Sequence, residues 1–187
     1  MNIRRIRRAA AAAVVFALTA APLAHAQPPN PLLPLVDAAA ARLQVAEPVA
    51  ADKRRTGGPV EDSAREQQVL DAVAADARSR QIDPAYAAAA FRDQIDATVA
   101  VEYSRLAQWK LDPASAPTDA PDLASSRATI DALNQTMVAE MAAQWGLLHS
   151  PQCGADLDAA KSAVLHTRAL DPLYRQAIDF ATRNYCR

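Results

Sequence analysis

DPAYAAAAFRDQIDATVAVEYSRLAQWK, residues 83–110, holds no glycine, no proline after Pro84, and no polar–apolar alternation long enough for a strand. Asp83 and Pro84 form a helix-opening pair: an N-cap oxygen, then a residue whose fixed φ suits the first turn. Phe91, Ile95, Leu106 and Trp109 then fall on one stripe at spacings of three, four or their sums, which is helical periodicity. The stretch therefore predicts one long helix ending near Lys110. Thr98 and Glu102 sit in the middle of that stripe, one turn apart, where a helix facing a core should be apolar.

Working outward, glycine stays scarce, alanine abundant, and Pro and Asp mark the breaks. Start signals and periodicity predict helices over 32–45, from Pro48 to Thr56-Gly57-Gly58, over 59–80, over 122–149, from about Ala155, and from Asp171-Pro172. The second of these reads as a turn or two. The expectation is an all-α, single-domain bundle of about six helices over residues 35–187, with the two long helices as its spine. About 160 residues suffice to bury a core.

The N-terminus has a different character. Arg4, Arg5, Arg7 and Arg8 precede an apolar run and Ala24-His25-Ala26, the pattern of a cleaved secretory signal over residues 1–26. The apolar run is too short and Ala-rich for a membrane span. Residues 27–34, rich in proline, read as a flexible lead-in. The expected mature protein is exported to the periplasm or cell envelope, or released. Removing those four Arg from the 20 basic residues leaves 16 against 21 acidic ones, a net charge of −5. That balance argues against a nucleic-acid or anionic-membrane partner. Cys153 and Cys186 are the two cysteines, and in an oxidising compartment an isolated pair reads as a disulfide.

Thr98 and Glu102 are not alone in breaking pattern. In the third helix Val69 and Val73 share an arc with Asp62 and Glu66, and Arg65 sits at its edge. In the fifth, Arg127 falls within the stripe of Leu123, Ile130, Met137, Met141, Trp145 and Leu148. Arg42 flanks the apolar face of the first helix, and Lys53 lies on the second. A buried charge without a partner costs several kcal/mol, so these groups should meet one another or a ligand. An internal salt-bridge network explains any one of them. Several helices breaking pattern together point to a site, and its excess of cations points to an organic anion. Arg, with its planar fork, suits carboxylate or phosphate. No metal-ligand spacing, Gly-rich phosphate loop or nucleophile elbow is present, so no metal and no cofactor are expected.

Four stretches together resemble a known family: DAAAARLQVAEPVAADK (37–53), PVEDSAREQ (59–67), FRDQIDATVAVEYSRLAQWKLDPASAP (91–117) and PDLASSRATIDALNQTM (121–137). Their order and spacing, with the closing cysteine pair, resemble the exported all-helical chorismate mutases of actinobacterial and mycobacterial type. The resemblance implies rearrangement of chorismate, a dicarboxylate, to prephenate in an aromatic-biosynthetic reaction that needs no covalent catalysis. It implies that Arg42 and Arg127 hold the two carboxylates and Arg65 adds charge. Lys53 and Glu102 would bond the breaking ether oxygen, Thr98 would assist at a carboxylate, and Glu66 with Asp62 would receive the ring hydroxyl. It also implies a homodimer. Two positions depart from the exported pattern: Val69 replaces a glutamine, and Glu66 after Arg65 follows the intracellular form. The alternative reading is a non-catalytic exported protein that binds an aromatic or dicarboxylic acid in the same Arg-lined pocket.

Overall fold

The computed structural model describes residues 29–187. The signal expected over 1–26 and the first two residues of the lead-in lie outside the described residues. Within them the chain is helical throughout and has no strand. The helices are α1 (Leu33–Gln44), α2 (Ala46–Thr56), α3 (Ser63–Ser79), α4 (Pro84–Leu111), α5 (Leu123–Ala143), α6 (Trp145–Leu148), α7 (Cys153–Thr167) and α8 (Pro172–Ala181), with a 3-10 turn at Pro113–Ser115 between α4 and α5. No helix among the described residues is long and apolar enough to cross a membrane.

The 28-residue α4 is about 42 Å long at 1.5 Å per residue, and it is the member on which the others are arranged. The Asp83 side chain caps it by accepting from the Ala85 N–H at 2.8 Å, and Pro84 occupies its first turn. Helices α1, α2, α3 and α8 pack around it, while α5 lies against α1, α2 and α3. The main core joins Leu35, Val36 and Leu43 of α1 to Phe91, Ile95 and Val101 of α4, with Met137 and Met141 of α5 and Ile178 of α8. A smaller apolar cluster gathers Ala50, Ala51, Trp109 and Ala116 beneath the 3-10 turn. Gln94, fully buried, donates from its side-chain amide to the Ala39 carbonyl at 3.0 Å and ties α4 to α1.

Three boundaries differ from the sequence expectation. α2 begins at Ala46 and runs 11 residues, because Pro48 falls in its first turn, where no intrahelical N–H bond is lost. α3 begins at Ser63 rather than Pro59: Asp62 caps it by accepting from the Arg65 N–H at 3.1 Å, leaving residues 57–62 as a loop. The expected helix over 122–149 is interrupted at Gln144, and the short α6 sets Trp145 edge-on to Tyr86 with ring centroids 5.0 Å apart. At the start of the domain, the Asn30 side chain donates to the Asp156 carbonyl and accepts from the Leu32 N–H, and Leu32 is fully buried. Packing thus begins a few residues before the boundary drawn at 35.

Cys153 and Cys186 form a disulfide that joins the start of α7 to the C-terminal segment. The Tyr86 hydroxyl donates to the Tyr185 carbonyl at 2.6 Å, and Asp93 accepts from Arg183 and Asn184. With the cysteines 33 positions apart in sequence, loop closure in the unfolded chain is worth about 3–4 kcal/mol on the chain-entropy model. Urea unfolding of C153S/C186S should accordingly show a midpoint loss equivalent to about 3 kcal/mol, with the helical signal retained in the absence of denaturant.

Candidate active site

Five helices contribute to one cavity, and all eight residues singled out from the sequence line it: Arg42, Lys53, Asp62, Arg65, Glu66, Thr98, Glu102 and Arg127. Val49, Val69, Ile95, Leu123 and Ile130 supply its apolar walls. Val69 is buried there and offers no polar contact.

Arg42 lies on α1 with 3 % of its surface exposed. Its Nε donates to Asn134 Oδ1 at 2.7 Å and its Nη1 to Thr98 Oγ1 at 3.1 Å. The Thr98 hydroxyl donates to the Gln94 carbonyl at 2.8 Å, so a hydroxyl lone pair faces the guanidinium. Among the described residues Arg42 makes no salt bridge. Burial lowers its pKa to about 10, partly offset by nearby Tyr185, Asp131 and Glu102, and it remains a cation at neutral pH.

Lys53 projects from the last turn of α2, and Glu102 stands one turn beyond Thr98 on α4. Lys53 Nζ reaches Glu102 Oε2 at 2.7 Å and the Val60 carbonyl at 2.6 Å, with side-chain exposures of only 11 % and 5 % for the ion pair. The Val60 carbonyl is brought there by the turn after α2. Gly57 adopts φ +74°, a left-handed cap that a residue with a Cβ would strain, and its N–H bonds the Lys53 carbonyl at 2.8 Å. Burial raises the pKa of the Glu102 carboxyl, and the hydrogen bond and charge of Lys53, then the charge of Arg42, oppose the rise.

The remaining charges form a more exposed rim. Arg127 Nη2 pairs with Asp62 Oδ2 at 2.8 Å, Arg65 Nη2 with Asp131 Oδ1 at 2.5 Å, and Glu66 Oε2 with Arg92 Nη2 at 2.9 Å. Asp62 therefore both caps α3 and holds Arg127. Partly exposed pairs of this kind contribute only roughly 0–1 kcal/mol to stability.

Several members escape the sequence reading. Asn134 was recoverable, because it continues the α5 stripe of Arg127, Ile130 and Met137 as one more misplaced polar residue. Asp131 and Arg92 look like ordinary solvent-facing charges until their partners are known. The Val60 carbonyl carries no residue-type signal at all.

Comparison with known proteins fits this geometry. Residues 34–103 match the family model for chorismate mutase type II. A protein named secreted chorismate mutase, from Mycolicibacterium smegmatis, is 56 % identical over 179 residues, 96 % of this chain and 99 % of that one. The chain belongs to the chorismate mutase family. A second protein of the same name, from Mycobacterium tuberculosis, is 51 % identical over 89 % of this chain and 83 % of its own length. The crystal structure of a chorismate mutase from Burkholderia phymatum superposes with a TM-score of 0.80 at 32 % identity, covering 84 % of this chain and 97 % of that one. The family-model match takes in α1 to most of α4, hence Arg42, Lys53, Thr98 and Glu102, while Arg127 and Asn134 lie beyond it.

A buried cation with only neutral partners stabilises a ligand better than it stabilises the fold. Arg42→Met, similar in reach and uncharged, should leave the denaturation midpoint equal to the parent's or higher while removing chorismate-dependent thermal stabilisation. A marked loss of stability in this variant would show that Arg42 serves the fold.

Proposed function

We propose that this chorismate mutase converts chorismate to prephenate by selecting the folded substrate conformer and stabilising charge on the ether oxygen as its C–O bond breaks and the new C–C bond forms. The observation that carries the reading is the buried Lys53–Glu102 pair lying in one cavity with Arg42, a cation without a carboxylate partner. Arg42 and Arg127 hold the two substrate carboxylates, and Arg65 adds positive charge from the rim. Arg127 exchanges Asp62 for the substrate, which frees Asp62 to accept, with Glu66, from the ring hydroxyl. Thr98, whose proton is directed to Gln94, acts here chiefly by orienting Arg42 toward a carboxylate. The apolar walls favour the compact conformer in which the reacting carbons face each other, lowering the entropic part of the barrier.

Lys53 is already held by the Val60 carbonyl and Glu102, so it stabilises developing negative charge without reorganising, and more strongly than in water. Glu102 donates to the same oxygen only when protonated. Burial favours that form, and as pH rises through its elevated pKa the donor is lost. Turnover by the parent should therefore decline on the alkaline side. In Glu102→Gln, which donates at any pH, that limb of the kcat profile should flatten. A parallel profile in the two proteins would exclude the proton from the mechanism.

We further propose export with cleavage after Ala26, supported by the word secreted in the names of the relatives matched, and a homodimer in solution. Mass spectrometry of the exported protein and light scattering of the purified one test the two points.

The functional reading is tested by following chorismate absorbance with the mature, disulfide-bonded protein. Loss of the signal with prephenate as product, reduced about 10²-fold or more in kcat/KM by Lys53→Ala, is the expected result. Chorismate that raises the melting temperature but is never consumed would identify a binding protein.

A further inference from the structure

We propose that Asn134 is a positioning residue whose neutrality sets the affinity of the site: it aims the Arg42 fork while leaving the positive charge available to the substrate. The inference rests on the chorismate mutase reading and deepens it.

Arg42 emerges from α1 into a space closed by α4 and α5, and each of those helices contributes one neutral acceptor. Asn134 Oδ1 is the shorter contact, at 2.7 Å, and Asn134 is itself 7 % exposed. A guanidinium has five N–H donors in a fixed plane. Fixing Nε from one side and Nη1 from another fixes that plane. The other two cations assigned to substrate anions, Arg65 and Arg127, are held by carboxylates, Asp131 and Asp62. Those pairs are partly exposed, so solvent screens them and compensates an exchange. At the buried position a carboxylate partner would be scarcely screened and would cancel the charge the substrate needs. An amide supplies the same oxygen at the same distance without that cancellation.

Asparagine at this position is also a poor choice for the fold alone. A buried arginine beside an aspartate would have its desolvation better compensated than one beside an amide. Stability and ligand affinity therefore make opposite demands on residue 134, and the amide satisfies the second.

The test is Asn134→Asp, which keeps the shape and the acceptor oxygen and adds the charge. The expected result is a rise of about tenfold or more in KM for chorismate, kcat within about threefold of the parent, and a melting temperature equal or higher. A folded N134D with the parent's KM overturns the proposal, as does one whose KM rises equally in the Arg42→Met background, since the effect must pass through Arg42. Should N134D fail to accumulate, Asn134→Leu removes the acceptor instead: its effect on KM must also vanish with R42M, and an N134L with the parent's kinetics overturns the inference. If the parent binds chorismate without converting it, the mutase reading fails separately. The same contrast must then appear in Kd measured by calorimetry, and equal Kd values for parent and N134D overturn the inference.

Discussion

The positive charge of Arg42 is buried among three helices with only an amide and a hydroxyl to accept from it. Leaving such a charge out of water costs several kcal/mol that two neutral hydrogen bonds do not fully compensate. The rest of the bundle must be rigid enough to impose that arrangement. The long α4 supplies Thr98 at the contact and Gln94 behind it, and Gln94 in turn grips the backbone of α1, from which Arg42 departs. The fold and the site thus share the α1–α4 contact, and the same polar side chains that interrupt the core make the cavity.

The second buried centre is built differently. Lys53 and Glu102 bond each other, and their pairing crosses from α2 to α4 in the wall of the cavity. One buried cation has an acidic side chain as its partner and the other has only neutral ones. This asymmetry suits a substrate whose carboxylates carry permanent charge while its ether oxygen gains charge only on the way to the transition state. In the proposed mechanism a full cation answers the first need, and a poised hydrogen-bonding pair the second.

Much of this was readable from residue order. The helices announce themselves through Asp-Pro starts and apolar spacing, and Asp83, Asp122 and Asp171 do cap helices as their positions imply. Of the eight cavity-lining candidates, Thr98, Glu102, Asp62, Glu66 and Arg127 were visible as polar interruptions of apolar stripes, a signal available because burial makes such interruptions costly; Arg42 and Arg65 lay only beside such stripes, and Lys53 stood out by charge alone. Boundaries were less accessible. Pro59 looked like a helix start, but the carboxylate of Asp62 competes better for the free N–H groups, which moved α3 by four residues. Partnerships across helices were not readable, since Asp131 and Arg92 owe their roles to distances that no local pattern encodes.

The loop of residues 57–62 contributes to the site through a carbonyl, and a carbonyl is present whatever side chain the residue bears. The contact to Lys53 is therefore indifferent to most point substitutions in the loop, Gly57 and Asp62 excepted for their backbone roles. It is not indifferent to loop length. One residue gained or lost between the left-handed turn and the cap of α3 would carry the carbonyl of Val60 away from the ammonium. Descendants of this chain can drift in the composition of that loop while its register is held fixed.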